Sequence, residues 1–220
     1  MWDPFVGTGS IAVALSHFGA LVYGSDLDMR VLKGYAVGGK TKNKGIEGLE
    51  KIDKFDIFAN FKHYGLAHPE IMAMDVSALQ WNMEQESSGL GVRPIFDAIV
   101  CDPPYGVRAR SQKSGIRESK KKKPAKEKTT TNEAGYPTEE QPYFGQKEHF
   151  DFVELHDHLV HIASILLRKG GHLVFLFHTD DDEPAEKNKF PEHPDMEFLR
   201  SSRDWLTKKR AGHLITMRRK

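Results

Sequence analysis

Met1-Trp2-Asp3-Pro4-Phe5-Val6-Gly7-Thr8-Gly9-Ser10 opens the chain and runs into Ile11, Ala12, Leu15 and Phe18 at helical spacing. An apolar start, two glycines spaced two apart and an amphipathic helix make the βα turn of a parallel sheet. Glycines there let the backbone approach a ligand closely. Ser10 is placed to cap the helix. The next apolar run, Ala20-Leu21-Val22-Tyr23-Gly24-Ser25, ends in Asp26. An acid about 20 residues after the glycine loop is placed to bind ribose hydroxyls; a solvated turn Asp is the plainer alternative. The expected fold is α/β, a Rossmann-like sheet with helices on both faces.

The class of nucleoside cofactor follows from what surrounds the glycines. The nicotinamide fingerprint accepts Ala12 as its third position, so spacing does not decide. A P-loop would need Gly-Lys-Ser/Thr opening the helix, and Gly9-Ser10-Ile11 differs. Asp3-Pro4 puts a negative charge where a pyrophosphate is disfavoured. A sulfonium cofactor carrying an amino group tolerates that charge, and the balance favours S-adenosylmethionine.

A second apolar run, Ile95-Phe96-Asp97-Ala98-Ile99-Val100-Cys101, stops in Asp102-Pro103-Pro104-Tyr105-Gly106. Ligands of open α/β sheets bind at the carboxyl edge of the strands. Two consecutive prolines remove two backbone donors and stiffen the turn. The Asp102 carboxylate and Pro103 carbonyl are left as acceptors beside the Tyr105 ring, which suits a flat base bearing an exocyclic amine. A Pro-rich turn with a capping Asp and a core Tyr is the bland alternative.

The stretches DPFVGTGS, GSDLD, MDVS and IVCDPPYG together resemble the class I amino-methyltransferases, and among them the catalytic subunits of tRNA guanosine-10 N2-methyltransferases. The resemblance runs from Trp2 to about Thr179 and is weaker in the closing strands. It implies a seven-stranded class I methyltransferase sheet whose first strand is largely missing, in an N-terminally truncated chain. It implies S-adenosylmethionine held by Asp3, Pro4, Phe5, Gly7, Gly9, Asp26, Asp75, Val76 and Asp102, with Asp75 and Val76 at the adenine. Asp102, Pro103, Pro104 and Tyr105 would be the catalytic set, acting on a guanine amine in tRNA. A small zinc-binding activator subunit would be the protein partner. Another planar amine, such as adenine N6 or a glutamine amide, and a catalytically silent form remain alternatives.

Composition adds bounds. The chain has 220 residues and can bury a core as one catalytic domain. Its single cysteine, Cys101, excludes an internal disulfide and a cysteine metal cluster, pointing to a reducing, cytoplasmic setting. Within the strand, Cys101 reads as a buried thiol. No run approaches the roughly 18 apolar residues of a membrane span.

The net charge of +1 hides an asymmetry, because Val107–Lys128 holds ten basic residues against two acids. This polar stretch is expected to form a flexible loop over 107–146 within the domain. It would act as a phosphate-binding lid over the pocket, or as a solvated insertion or targeting patch at Lys120–Lys123.

A helix spans Leu27–Val37, followed by a polar linker over Lys40–Gly48. Phe55, Phe58, Phe61 and Tyr64 pack on the sheet from a helix. A strand covers Glu70–Asp75, although Asp75 could equally be a helix N-cap. An amphipathic helix fills His149–Lys169 and closes at Gly170-Gly171. His172–Phe177 is a buried strand, and Met196–Leu199 with His213–Met217 forms a closing hairpin. His149, His156, His158 and His161 lack companion cysteines, so no metal site is expected.

Overall fold

A computed structural model describes residues 1–28, 32, 57–78, 94–105, 112–114, 147–182 and 184–220. The elements in order are β1 (Trp2–Asp3), α1 (Ser10–His17), β2 (Tyr23–Asp26), α2 (Phe58–Tyr64), β3 (Glu70–Ala73), β4 (Phe96–Cys101), β5 (Gln112–Ser114) and β6 (Lys147–His149). There follow α3 (Phe152–Leu166), β7 (Leu167–Asp180), a 3₁₀ turn (Ala185–Asn188), β8 (Met196–Trp205) and β9 (Arg210–Arg219). The described strands form a seven-stranded sheet of order β3-β2-β1-β4-β7-β9-β8 and a two-stranded ladder, β5-β6. β3, β2, β1, β4 and β7 run parallel, while β9 joins β7 and β8 antiparallel. The expected Rossmann-like α/β sheet is present, with a short first strand at its centre.

Hydrophobic burial holds both faces of this sheet. On one face Leu155, Leu159, Ile162 and Leu166 of α3 pack with Ile99, Leu173, Phe175 and Ile215. Val6, Ala12, Val22, Ile57 and Phe61 form a second cluster with α1 and α2. Trp2 joins β1 to the core: it is fully buried, stacks on Phe96 at 5.5 Å, and its indole N–H donates to Ser25 Oγ at 3.1 Å. A buried tryptophan needs such an acceptor for its one donor.

Several element boundaries differ from the sequence reading. α3 begins at Phe152 because Asp151 caps it, its carboxylate accepting from the backbone N–H groups of Val153 and Glu154. His149 belongs instead to β6, paired with Gln112. α3 ends at Leu166, and Leu167 already has extended backbone and pairs with Phe96. Gly170 and Gly171 therefore lie inside β7 rather than closing a helix. A Cβ on Gly171 would come 2.8 Å from the Arg168 carbonyl oxygen and 3.0 Å from that of Asp97. The closing strands are longer than expected, ten residues each. Gly9, in left-handed backbone, takes the N-cap place of α1, leaving Ser10 as its first residue without a side-chain cap bond.

The aromatic stripe is buried only in part: Phe61 is fully enclosed and Phe58 half so, but Tyr64 ends the short α2 in solvent. β3 stops at Ala73, two residues before Asp75. The expected Leu27–Val37 helix, the Lys40–Gly48 linker and Phe55 lie outside the described residues, save Leu27, Asp28 and a helical Leu32. The 107–146 loop also lies outside them, except for β5. Gln112, Lys113 and Ser114 pair there with His149, Glu148 and Lys147.

Candidate functional site at the carboxyl edge

Four neighbouring strands, β3, β2, β1 and β4, each end in or are soon followed by an aspartate: Asp75, Asp26, Asp3 and Asp102. The strand order alone brings these residues, scattered over a hundred positions, to one edge.

The glycine loop is built around two of them. Asp26 Oδ2 accepts from Gly7 N–H at 3.0 Å and its Oδ1 accepts from Asp28 N–H at 2.7 Å. Val6 N–H donates to the Ser25 carbonyl at 2.9 Å, so the loop is sewn to the end of β2. Gly7 and Gly9 have φ of 51° and 88°, which side chains rarely adopt. A Cβ on Gly9 would also meet Ile57 at 2.8 Å.

Asp3 is buried, as is Pro4, with Phe5 half-buried over the main core. Asp3 Oδ1 accepts from Phe5 N–H at 3.0 Å. Burial pushes the Asp3 carboxyl up to about 7, opposed by that hydrogen bond and reinforced by the charges of Asp26 and Asp102.

Asp75 is buried and forms an Asx turn, its Oδ1 accepting from Ser77 N–H at 2.8 Å and Ser77 Oγ–H at 2.7 Å. Val76 is buried beside it, its carbonyl 3.0 Å from His158 Nε2 on α3. That contact accounts for one of the four clustered histidines. A second, His161, lies 3.3 Å from His193, and His156 Nδ1 meets the Phe152 carbonyl at 2.7 Å. No group of three or more metal-ligating side chains occurs among the described residues.

At the end of β4, Cys101 is buried and desolvation pushes its thiol well above the ordinary range, which suits packing rather than nucleophilic attack. Asp102 reaches solvent, Pro103 is buried, and Pro104 and Tyr105 are half-buried. Packing around the Asp102 carboxyl pushes its pKa up, partly offset by His178. The His178 imidazole lies 4.2 Å from the Tyr105 ring, tilted by 34°. Sequence reasoning missed His178. Its place immediately after the buried run of β7, at the edge where ligands bind, was the available signal.

No family profile matches the chain. It is 32% identical over 202 residues to the tRNA (guanine(10)-N(2))-methyltransferase of Saccharomyces cerevisiae, covering 90% of this chain and 40% of that protein. It is 30% identical over 219 residues to the human enzyme of that name, covering 99% and 42%. Over nearly its whole length the chain is similar to the tRNA (guanine(10)-N(2))-methyltransferases. It spans about two fifths of the length of these curated relatives.

TrmN from Thermus thermophilus shares the fold over the whole chain, at 17% identity and a TM-score of 0.53, with 43% of that structure covered. Magnesium protoporphyrin IX methyltransferase from Synechocystis, solved with bound SAH, matches at 13% identity and a TM-score of 0.50, covering all of this chain and 73% of that one. The architecture is the class I methyltransferase fold. No helix among the described residues is long and apolar enough to cross a membrane.

Proposed function

We propose that this chain carries the S-adenosylmethionine-dependent methylation of a guanosine N2 amine, at position 10 of tRNA. The observation that carries the reading is the Asp102-Pro103-Pro104-Tyr105 turn, held at the same sheet edge as the glycine loop and its three companion acids. Homology to enzymes named for that reaction supports the choice of substrate.

The cofactor fits the residues present. Asp26 and Asp102 add negative potential to the edge, adding to the effect of burial in pushing up the Asp3 carboxyl, and an acidic edge suits a ligand carrying sulfonium and ammonium charges. Gly7 and Gly9 keep the backbone bare where a side chain would obstruct the approach. Asp26, the acid at the end of β2, is the residue placed for the ribose hydroxyls. Asp75 and Val76 would contact the adenine, and Pro4 and Phe5 would line the methionine end. When bound, S-adenosylmethionine supplies an electrophilic methyl group.

The chain's own groups then prepare the acceptor. Guanine's exocyclic nitrogen is a poor nucleophile because its lone pair is delocalised into the ring. Asp102 Oδ and the Pro103 carbonyl each accept one N–H, turning the lone pair toward the methyl. As positive charge develops on nitrogen, the Asp102 carboxylate stabilises it where it appears. Tyr105 stacks on the base, which must leave its helix to reach the pocket. Holding nitrogen and methyl in line contributes the rest.

Support for a small zinc-binding activator as protein partner comes from the resemblance. The exposed apolar side chains Phe18 and Leu21, leading into β2, are surface such a subunit could cover. A cytoplasmic location follows from the same reading. The test is isothermal titration of S-adenosylmethionine into the purified chain, with and without activator, then methyl incorporation into tRNA. Micromolar binding and transfer to guanosine 10 would sustain the reading; absence of binding in both conditions would remove it.

A further inference from the structure

The basic segment after Tyr105 is not the strongest place to look for RNA contacts among the described residues. Lys113, its one described side chain, is occupied: its Nζ lies 3.3 Å from Glu154 Oε1 and 5.1 Å from the centre of the Phe150 ring. A different surface has the needed chemistry. The β8–β9 hairpin carries Arg200, Arg203, Lys208, Lys209 and Arg210 against a single acid, Asp204, over 200–210. Trp205 and Leu206 are each 54% exposed at its tip. Arg203 lies over the Trp205 ring at 4.8 Å, and both side chains sit on one face of β8.

The hairpin is held in place and held near the site. Lys209 Nζ bonds both carboxylate oxygens of Asp182, and Arg210 Nε bonds Asp180 Oδ2. These bonds tie the tip to the end of β7. Across the sheet, Trp205 pairs with Ala211 and Ala211 with Thr179, the residue after His178. Trp205 therefore stands at the same sheet end as Tyr105, two strand spacings, roughly 10 Å, from the end of β7 where His178 meets the Tyr105 ring. An exposed indole braced by a guanidinium, with further cations beside it, is the arrangement that stacks an unpaired base and holds its phosphates. A buried protein interface would instead favour fewer charges around the aromatic.

We propose that the β8–β9 hairpin is an RNA-docking surface, in which Trp205 backed by Arg203 stacks on an unpaired base flanking the nucleotide in the pocket. Arg203 and Lys208 meet the adjoining phosphates, while Lys209 and Arg210 fix the hairpin's pose. The assignment rests on the RNA-methylating reading above and names the part of the chain that grips the substrate outside the pocket.

The test is fluorescence anisotropy of a labelled single-stranded RNA of about 12 nucleotides, long enough for one such site, titrated with the whole chain at two salt concentrations. Trp205→Ala is expected to weaken binding about tenfold and Trp205→Phe by no more than about threefold, as loss and partial retention of one stacking platform require. Lys208→Glu should weaken binding and flatten its salt dependence. S-adenosylmethionine affinity should be unchanged in all three.

A second readout does not depend on variants at the surface. In a Trp81→Phe background the intrinsic emission comes from buried Trp2 and exposed Trp205, and RNA should quench the exposed component. Trp205→Ala affinity within twofold of wild type, in a chain that binds S-adenosylmethionine, overturns the docking surface and leaves the proposed reaction standing. Quenching by polyglutamate but not RNA would assign the patch to a protein and likewise overturn it. A wild-type chain that binds neither cofactor nor RNA overturns both.

Discussion

The His178 imidazole lies 4.2 Å from the Tyr105 ring and interacts electrostatically with the carboxyl of Asp102, so one histidine bears on both the proposed stacking ring and the proposed acceptor. Burial lowers the His178 pKa and Asp102 raises it; conversely, charged His178 lowers that of Asp102. His178→Ala should remove that brake and move the acid limb of kcat/KM to higher pH. It should also raise KM for RNA, since Tyr105 loses its backing. A pH profile of methyl transfer in wild type and variant checks both; an unmoved acid limb would separate His178 from Asp102.

Asp102→Ala should reduce methyl transfer by a factor of about a hundred to a thousand, the usual loss when one preorganised electrostatic partner is removed. Cofactor affinity should change little. Methyl incorporation and calorimetric titration on the same preparation measure the two effects separately.

Asp3 gives a stability signature. Its folded-state pKa of about 7 lies above the ordinary carboxylate value, so the folded chain binds the extra proton. That contribution is whole at low pH and is lost as pH rises from about 4 through 7. Asp3→Asn keeps an oxygen for Phe5 N–H without the charge. Its advantage over wild type should grow across that window, reaching about 1–4 kcal/mol by pH 8. Thermal unfolding at several pH values checks it.

His156 has the opposite sign. It is buried between Phe152 and Phe177, and desolvation holds its pKa at about 4, opposed by its bond to the Phe152 carbonyl. Stability from the neutral ring is whole above about pH 6.5 and is lost as pH falls toward 4. His156→Leu should lack this acid-side loss, at a constant cost of about 1 kcal/mol for the missing hydrogen bond. Unfolding at pH 7.5 and 5 compares the two.

Gly9→Ala should be destabilised by about 1–3 kcal/mol, from its left-handed φ and the Ile57 contact at 2.8 Å. The Gly7 loop should then bind S-adenosylmethionine more weakly. Denaturant unfolding followed by titration of the folded variant gives both numbers.

Much of this edge was readable because its residue types are forced. Only glycine accepts the backbone of Gly7 and Gly9 without strain, and two prolines after Asp102 cannot continue a strand. Asp26 and Asp75 stand out as acids ending apolar runs. His178 was hidden because it lies within β7 with no turn residue to mark it, and the residues it acts on lie 73 and 76 positions away, Tyr105 and Asp102. The α3–β7 boundary was hidden for another reason. Ile162–Leu167 is apolar apart from Ser164 and suits a buried helix or a buried strand equally, so helical periodicity runs on past Leu166 without a signal to stop. Gly170 and Gly171 look like a helix terminator, but Gly171 is required by the close backbone approach of Asp97 and Arg168. The early start assigned to α3 came from histidines that could belong to either element. Pairing with Gln112, distant in sequence, claimed His149 for β6.

Ser114 faces Lys147 across the β5–β6 ladder. The 32 residues between them in sequence therefore begin and end one strand spacing apart, about 5 Å. The β5–β6 ladder, and not the seven-stranded sheet, carries both ends of that stretch. A change in its length or charge need not disturb the register of the sheet.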